Sequence, residues 1–151
     1  MGFGILIWSW LSFSLPVQQQ QLQVAVQKVE LAKAIKSGVA SYYHPRFVGR
    51  LTATGDVFSN EKFTAASNHF KLGTYVKVTN LRNGKFVYVR INDRMGQPNR
   101  IIDLTQKAAE TLHFINRGLT KVKIEPVPVL EGRRQSLAQN ELGTTVPDNI
   151  L

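Results

Sequence analysis

The stretch TYVKVTNLRNGKFVYVRIN, residues 74–92, contains two runs in which apolar and polar side chains alternate. Such alternation is typical of β-strands that bury one face. Between the two runs lies Asn83-Gly84, a dipeptide that accepts the positive φ angles of a tight hairpin turn. The stretch therefore predicts an antiparallel β-hairpin.

Short β-like runs continue on both sides of this hairpin. One begins with GVASYY at residue 38, and LTKVKIEPV, residues 119–127, alternates again as a closing strand. In DLTQKAAETLHF, residues 103–114, apolar side chains share one helical face, which predicts a short helix with Thr105 as its cap. We therefore predict one mainly β domain over residues 38–127, with one or two short helices. Closure into a barrel removes the open strand edges of such a domain.

The segments outside this domain have a different composition. Phe3–Val17 is apolar and uncharged, but it is shorter than the roughly 20 residues that span a bilayer. It matches the hydrophobic part of a secretory signal, although no basic residue precedes it. We predict a signal peptide over residues 1–17, a linker over 18–37 and a disordered tail over 128–151. A buried core helix is the alternative for the first segment.

Charge and cysteine content limit the classes of partner and chemistry. The 19 lysine and arginine residues outnumber the 10 aspartate and glutamate residues, a formal net charge of +9 that favours polyanionic partners. A basic surface that only aids solubility is the alternative. The absence of cysteine excludes a disulfide scaffold, a thiolate nucleophile and a cysteine-ligated metal. The three histidines show no metal-binding spacing, so we expect no metal and no cofactor.

Carboxylates are then the main candidates for chemistry. In VYVRINDRMGQPNRIIDLT, residues 87–105, Asp93 follows the apolar Val89 and Ile91 in strand phase. If the alternation persists, apolar neighbours desolvate this carboxyl and raise its pKa, which suits a proton donor near neutral pH. A structural ion pair with Arg94 is the alternative. The residues alone leave both interpretations open.

The other carboxylates have simpler explanations. Asp103 precedes the predicted helix, where a negative charge is favoured by the helix dipole. Asp56 follows a glycine in a loop, as is common in turns. Glu61 and Glu110 are expected on the surface.

Four motifs resemble the rare lipoprotein A (RlpA) family, in order across residues 38–125. They are GVASYYHPRFVGRLTATGDVF from residue 38, TAAS from 64, LGTYVKVTNLRNGKFVYVRINDRMG from 72 and RIIDLTQKAAETL from 100. The resemblance implies a mainly β fold, a six-stranded double-psi β-barrel. It also implies an endolytic lytic transglycosylase that acts on peptidoglycan, especially on glycan strands without stem peptides.

The resemblance further implies a single-acid mechanism at Asp93, which matches the aspartate of the family's groove. This carboxyl protonates the glycosidic oxygen between N-acetylmuramic acid (MurNAc) and N-acetylglucosamine (GlcNAc), and the MurNAc C6 hydroxyl closes onto C1 as the 1,6-anhydro sugar. Asp56 matches as an assisting carboxylate. The matching motifs also provide candidate substrate-binding residues: Tyr43, Thr52, Ser67, His69, Asn92 and Arg94. A core aromatic and a turn hydroxyl are the alternatives for Tyr43 and Thr52.

The chain departs from the family pattern at positions that bear on catalysis. Asp56 and Ser67 stand where the family has glutamate and histidine. Residues 67 and 69 would share a strand face, so His69 is our hypothesis for a partial substitute. Without cysteine, we expect no anchor through a lipidated cysteine.

We therefore predict an exported monomer of the periplasm or cell envelope that binds and cleaves peptidoglycan glycan strands. The alternative is a non-catalytic, expansin-like barrel that binds glycan and loosens the wall, which the loss of the histidine favours. A nucleic-acid binder is a third reading. Because the basic segments lack interleaved aromatic residues, we expect no nucleic-acid partner.

Overall fold

The computed structural model describes residues 16–142 of the 151-residue chain. The strands are β1 (Lys36–Tyr42), β2 (Thr64–Ala66), β3 (Tyr75–Asn80), β4 (Phe86–Asp93), β5 (Ile102–Leu104) and β6 (Thr120–Val127). The helices are α1 (Val17–Lys33), α2 (Gln106–Thr111) and α3 (Val129–Leu142), with 3-10 turns at Pro45–Phe47 and Ile115–Arg117. The strands form a closed barrel in the order β1-β5-β2-β4-β3-β6, which confirms the predicted six-stranded barrel.

The predicted hairpin is formed by β3 and β4, which pair antiparallel. Its turn is wider than a two-residue turn, because the Asn80 N–H donates to the Lys85 carbonyl at 2.8 Å and residues 81–84 form the loop. Gly84 has a φ of 76° and donates its N–H to the Asn80 carbonyl at 2.9 Å. Glycine suits this position because it adopts positive φ without strain.

Two parallel strand pairs connect distant parts of the chain. β1 pairs with β5, and β2 pairs with β4, while the remaining neighbours are antiparallel. Inward-facing side chains of the strands fill the barrel and are 0% exposed: Ala40, Ala65, Val76, Val78, Val87, Val89, Ile91, Ile102, Leu104, Val122 and Ile124. Burial of each larger aliphatic side chain stabilises the fold by roughly 1.5–3 kcal/mol.

The short helix α2 lies within the predicted residues 103–114 but is capped differently. Thr105 occupies the N-cap position, yet its hydroxyl donates to the Lys62 carbonyl at 2.6 Å. Instead, the Asn60 side-chain oxygen accepts the Gln106 N–H at 2.9 Å. The cap therefore comes from a distant loop, which a local sequence pattern does not reveal.

Residues 129–142 form helix α3, which corrects the prediction of a disordered tail from residue 128. The buried Gln139 side chain accepts the Tyr88 N–H at 2.7 Å and donates to the Tyr88 carbonyl at 2.9 Å. Gly132 lies so close to Tyr75 that an added Cβ would be 2.2 Å from the Tyr75 Cβ. Helix α3 has no strong apolar face. It is held against β3 and β4 by the hydrogen bonds of Gln139 and by the close packing at Gly132.

The N-terminal predictions are tested only in part. The predicted linker 18–37 is helical over α1, and β1 begins at Lys36, slightly before the predicted domain start. Most of the predicted signal peptide, residues 1–15, and the end of the predicted tail, 143–151, lie outside the described residues. Between residues 16 and 142, no helix has the length and apolar character needed to cross a membrane.

Candidate functional site

Asp93 lies at the end of β4, where a bulge changes the register of the strand. Ala65 pairs with Ile91, but the next residue, Ala66, pairs with Asp93, so Asn92 is the extra residue. An extra residue reverses the face on which the following side chain lies. Asp93 is accordingly half-buried and lines an open groove, rather than continuing the buried apolar face. The alternation is therefore interrupted before Asp93, and Asp93 is not the desolvated core carboxyl that an uninterrupted strand would give.

Both oxygens of the Asp93 carboxylate accept hydrogen bonds. Oδ2 accepts from the Tyr43 hydroxyl at 2.8 Å, and Oδ1 accepts from the backbone N–H groups of Ala53 at 3.0 Å and Arg94 at 2.8 Å. These donors belong to three separate segments of the chain, so together they fix the orientation of the carboxylate. Burial raises the pKa of the Tyr43 hydroxyl, and the hydrogen bond to Asp93 raises it further. Tyr43 therefore keeps its proton and remains a donor.

The Arg94 side chain holds the loop after β2 against the end of β4. Its Nη1 donates to the carbonyl oxygens of Ser67 and of Phe70, the latter at 2.7 Å. No ion pair joins the Arg94 guanidinium to Asp93 among the described residues, so the alternative of a structural ion pair is not observed. Arg94 contacts Asp93 through its backbone N–H and lines the same groove.

Ser67 and His69 lie outside the set of residues that line this groove. The Ser67 side chain is 0% exposed, and its hydroxyl donates to the Ile101 carbonyl at 2.8 Å. His69 is exposed and donates its backbone N–H to the Ser67 Oγ at 3.2 Å. Ser67 therefore connects the loop after β2 to Ile101 and does not face the groove.

The Asp56 carboxylate gathers three side-chain donors. Its Oδ2 accepts from the Thr54 hydroxyl at 2.8 Å, from Arg90 Nη1 at 3.2 Å and from Asn92 Nδ2 at 3.4 Å. The hydrogen bonds from Thr54 and Asn92, followed by the positive charge of Arg90, lower the pKa of Asp56. An ionised carboxylate in this position is a poor proton donor.

Asp56 ties a turn, residues 52–56, to the bulge of β4. Within the turn the Thr52 N–H donates to the Asp56 carbonyl and the Gly55 N–H donates to the Thr52 carbonyl, each at 2.9 Å. The Thr54 N–H donates to the Asn92 carbonyl at 3.2 Å. Thr52 is buried, and its hydroxyl lies 3.1 Å from that of Thr54. These hydrogen bonds hold the turn in the position where the Ala53 N–H donates to Asp93.

The groove beside Asp93 has a volume of about 630 Å³. That volume falls within the range of roughly 300–1,000 Å³ typical of ligand pockets. Besides Asp93 and Tyr43, its lining includes six side chains that carry or can carry a charge: His44, Arg46, Arg50, Arg94, Arg100 and Asp103. Neither Asp56 nor Thr52 lines the groove, so the predicted site residues divide into groove residues and residues that support them.

Asp103 is a second groove carboxylate, whereas the sequence predicted a role at a helix start. It lies in β5 and pairs with Ala66, the same residue that pairs with Asp93. Two strand spacings separate the two aspartates, about 10 Å between Cα atoms. Burial raises the pKa of Asp103, and Arg100 opposes this through a hydrogen bond from Nη2 to Oδ2 at 3.0 Å. Arg100 Nε is 2.9 Å from Oδ1 without forming a hydrogen bond.

His44 is a groove residue that the sequence reasoning did not identify. Its Nδ1 accepts the Arg46 N–H at 3.2 Å, so the neutral ring carries its proton on Nε2. The 3-10 turn Pro45–Phe47, for which His44 is the cap, provides this contact. The pattern His-Pro before a short turn was the available signal. Between residues 16 and 142, no cluster of three or more His, Asp or Glu side chains is arranged for a metal ion.

Comparison with known proteins identifies relatives of this barrel. Residues 35–124, more than half of the chain, match the lytic transglycolase family. The chain is 46% identical over 101 residues to the endolytic peptidoglycan transglycosylase RlpA of Haemophilus influenzae, covering 66% of this chain and 35% of that protein. It is 42% identical over 115 residues to the RlpA of Neisseria meningitidis, covering 76% and 47%. The chain thus spans less than half the length of either relative.

Solved structures share the fold at lower sequence identity. Streptomyces papain inhibitor has a TM-score of 0.51 and 23% identity, over 62% of this chain and 94% of that chain. An expansin from Clavibacter michiganensis has a TM-score of 0.51 and 19% identity, over 62% and 50%. These likenesses concern the fold alone, and they confirm the double-psi β-barrel. With the closed six-stranded barrel and the match over residues 35–124, the chain belongs to the lytic transglycolase family and is an RlpA-type domain.

Proposed function

We propose that this chain is an endolytic lytic transglycosylase that cleaves peptidoglycan between MurNAc and GlcNAc. The observation that carries the proposal is the Asp93 carboxylate, held by three donors on the wall of an open groove. The names of the two relatives, endolytic peptidoglycan transglycosylase, support the reaction class. Work on peptidoglycan requires a location outside the cytoplasm, in the periplasm or cell envelope, and we propose action as a monomer.

The proposed reaction uses Asp93 alternately as acid and base. Its carboxyl gives a proton to the glycosidic oxygen, and the bond from that oxygen to MurNAc C1 breaks. The MurNAc C6 hydroxyl then bonds to C1 and passes its proton to the Asp93 carboxylate, which restores the acid. The products are a 1,6-anhydroMurNAc end and a free GlcNAc hydroxyl, and no water is consumed. Strands that lack stem peptides are the proposed preferred substrate.

The supporting residues have positioning roles in this proposal. Tyr43 and the Ala53 N–H hold the carboxylate in a constant orientation through the proton transfers. Asp56 acts through the turn that presents Ala53, instead of exchanging protons itself, because its pKa is lowered. Asn92 joins that turn to the bulge, and Arg94 holds the opposite loop. His69 and Ser67 have no proposed contact with substrate.

A non-catalytic glycan-binding barrel is the second candidate. It is favoured by Ser67, which replaces the family histidine and whose hydroxyl is occupied by the Ile101 carbonyl. Such a barrel would use the same groove to hold glycan and loosen the wall without breaking a bond. The two candidates differ in their products.

Digestion of purified peptidoglycan tests the proposal. The full chain is incubated with peptidoglycan that retains or lacks stem peptides, and the soluble sugars are analysed by mass spectrometry. We expect anhydroMurNAc products, and a loss of at least about 100-fold in Asp93→Asn, because a general acid contributes about 10²–10⁴-fold. Glu61→Gln makes the same carboxylate-to-amide change at an exposed residue and should remain active. If the unmodified chain bound glycan but released no anhydro products, the proposed catalysis would be contradicted and the glycan-binding barrel would be favoured.

A further inference from the structure

One wall of the groove carries two guanidinium groups that have no carboxylate partner among the described residues. Arg46 lies in the 3-10 turn Pro45–Phe47, Arg50 follows shortly after it, and both are exposed. Their guanidinium carbons lie 5.1 and 5.3 Å from the centre of the Phe47 ring. The other two groove arginines are engaged: Arg94 binds backbone carbonyls and Arg100 binds Asp103.

The shared aromatic ring brings the two positive charges close together. Since both lie about 5 Å from one ring centre, the guanidinium carbons are separated by at most about 10 Å. A cation over an aromatic face is oriented by the ring while its N–H edge stays available to a ligand. Both charges are exposed and both line the groove, so a single anion bound at this wall is attracted by both of them.

The pair is connected to the proposed catalytic carboxylate through one aromatic contact. The Phe47 ring contacts the Tyr43 ring, with centroids 5.7 Å apart, and the Tyr43 hydroxyl donates to Asp93. Asp93, Arg46 and Arg50 line the same groove, so a glycan strand bound at Asp93 would extend beside the two arginines. The two carboxylates of the same groove, Asp93 and Asp103, disfavour a densely charged phosphate polymer. An anion with one charge per repeating unit fits better.

We propose that Arg46, Phe47 and Arg50 form a subsite that binds a free carboxylate on the glycan, the lactyl carboxylate of MurNAc in strands without stem peptides. The inference rests on the proposed function and assigns residues to its substrate preference. The planar guanidinium fork matches a carboxylate through paired hydrogen bonds. When a stem peptide is attached, the lactyl carboxyl is an amide and its negative charge is absent.

Two glycan probes that differ only at the lactyl group test this subsite. The first is soluble stem-free strands, and the second is the same strands with their carboxyl groups converted to carboxamides. Binding of the full chain is measured in the Asp93→Asn background to prevent cleavage. We expect about five- to tenfold tighter binding of the carboxylate strands, from two partly exposed charge pairs. The difference should shrink at about 1 M salt, where the Debye length is about 3 Å.

The double variant Arg46→Gln/Arg50→Gln should bind both probes equally. Its matched control is Arg82→Gln/Arg117→Gln, which removes the same charge from a different surface cavity and should keep the preference. Both variants alter exposed side chains, and their unfolding midpoints check that they fold. An unchanged preference in Arg46→Gln/Arg50→Gln would overturn the subsite, and so would equal binding of both probes by the Asp93→Asn protein.

Failure of the subsite and failure of the proposed function give different results. If the unmodified chain releases anhydro products but Arg46→Gln/Arg50→Gln keeps its preference for carboxylate strands, only the subsite is wrong. If no anhydro products form but the preference depends on these two arginines, the subsite is supported and the proposed catalysis is wrong. The chain is then a barrel that binds glycan without cutting it.

Discussion

Among residues 16–142, the Tyr43 hydroxyl is the side-chain donor that hydrogen-bonds the Asp93 carboxylate. Tyr43→Phe removes this donor but keeps the ring, which packs on Phe47 and Phe58 with centroids 5.7 and 4.3 Å away. We therefore expect the fold to persist and the rate of anhydroMurNAc release to fall about 10- to 100-fold, since a hydrogen bond to a charged group contributes about 1.5–3 kcal/mol. Tyr42→Phe is the matched control, because its hydroxyl donates to the Ile115 carbonyl instead. Equal rates for the two variants would refute the role of Tyr43.

Asp56 gives a prediction for stability as a function of pH. Because its folded-state pKa is lowered, its ionised form stabilises the fold above the unfolded pKa, and this contribution is lost as the pH falls through the folded pKa. The side chain is 42% exposed, so we expect Asp56→Asn to lose only about 0.5 kcal/mol near neutral pH. The difference between the two proteins in urea unfolding should be present at neutral pH and shrink as the pH is lowered into the acid range. A difference that persists in acid would mean that charge is not the cause.

Single residues of the site were predictable to different degrees. The motif around Asp93 singled out that carboxylate, and Tyr43 lies beside it. The burial of Ser67 was not predictable, because it depends on the Ile101 carbonyl, a partner 34 residues away. The sequence did not reveal that His44 and Asp103 line the groove, because their local sequence contains no signal of the distant segments that complete it.

At the scale of elements, the bulge in β4 explains why strand alternation gave the wrong side for Asp93. A period of two predicts a face only while each residue has one partner across the ladder. Ala66 pairs with Asp93 directly after Ala65 pairs with Ile91, and this break depends on a parallel neighbour far away in sequence. The hairpin was predictable because its turn and both strands are contiguous.

Helix α3 contributes to stability through Gln139. Gln139→Ala removes two buried hydrogen bonds to the Tyr88 backbone, and the loss of a buried hydrogen-bond partner costs about 1–3 kcal/mol. We expect the free energy of unfolding to fall by about 2–4 kcal/mol in urea titrations. Asn140→Ala changes the adjacent, exposed amide and should cost less than about 0.5 kcal/mol. A similar small loss in both variants would show that α3 does not depend on this contact.

At the scale of the whole molecule, the site is assembled from strands that are distant along the chain. The groove combines the end of β1, the turn after it, the end of β4 and β5. The parallel pairs β1 with β5 and β2 with β4 bring these segments together. Composition and alternation predict a β-barrel but contain no information about this strand order, and the family resemblance implied only the double-psi β-barrel as a whole. α3 packs elsewhere, on β3 and β4.

This separation predicts that the stability provided by α3 and the chemistry of the groove can be changed independently. Gly132→Ala places a Cβ 2.2 Å from the Tyr75 Cβ, so the helix must shift, and overpacking of this kind costs about 1–3 kcal/mol. We expect a lower unfolding midpoint but the same glycan affinity and the same rate of anhydroMurNAc release per folded molecule, measured well below that midpoint. Tyr43→Phe should show the opposite result, a near-normal midpoint and a reduced rate. If Gly132→Ala abolished glycan binding while remaining folded, α3 and the groove would be coupled, and the barrel would not position Asp93 independently of its C-terminal helix.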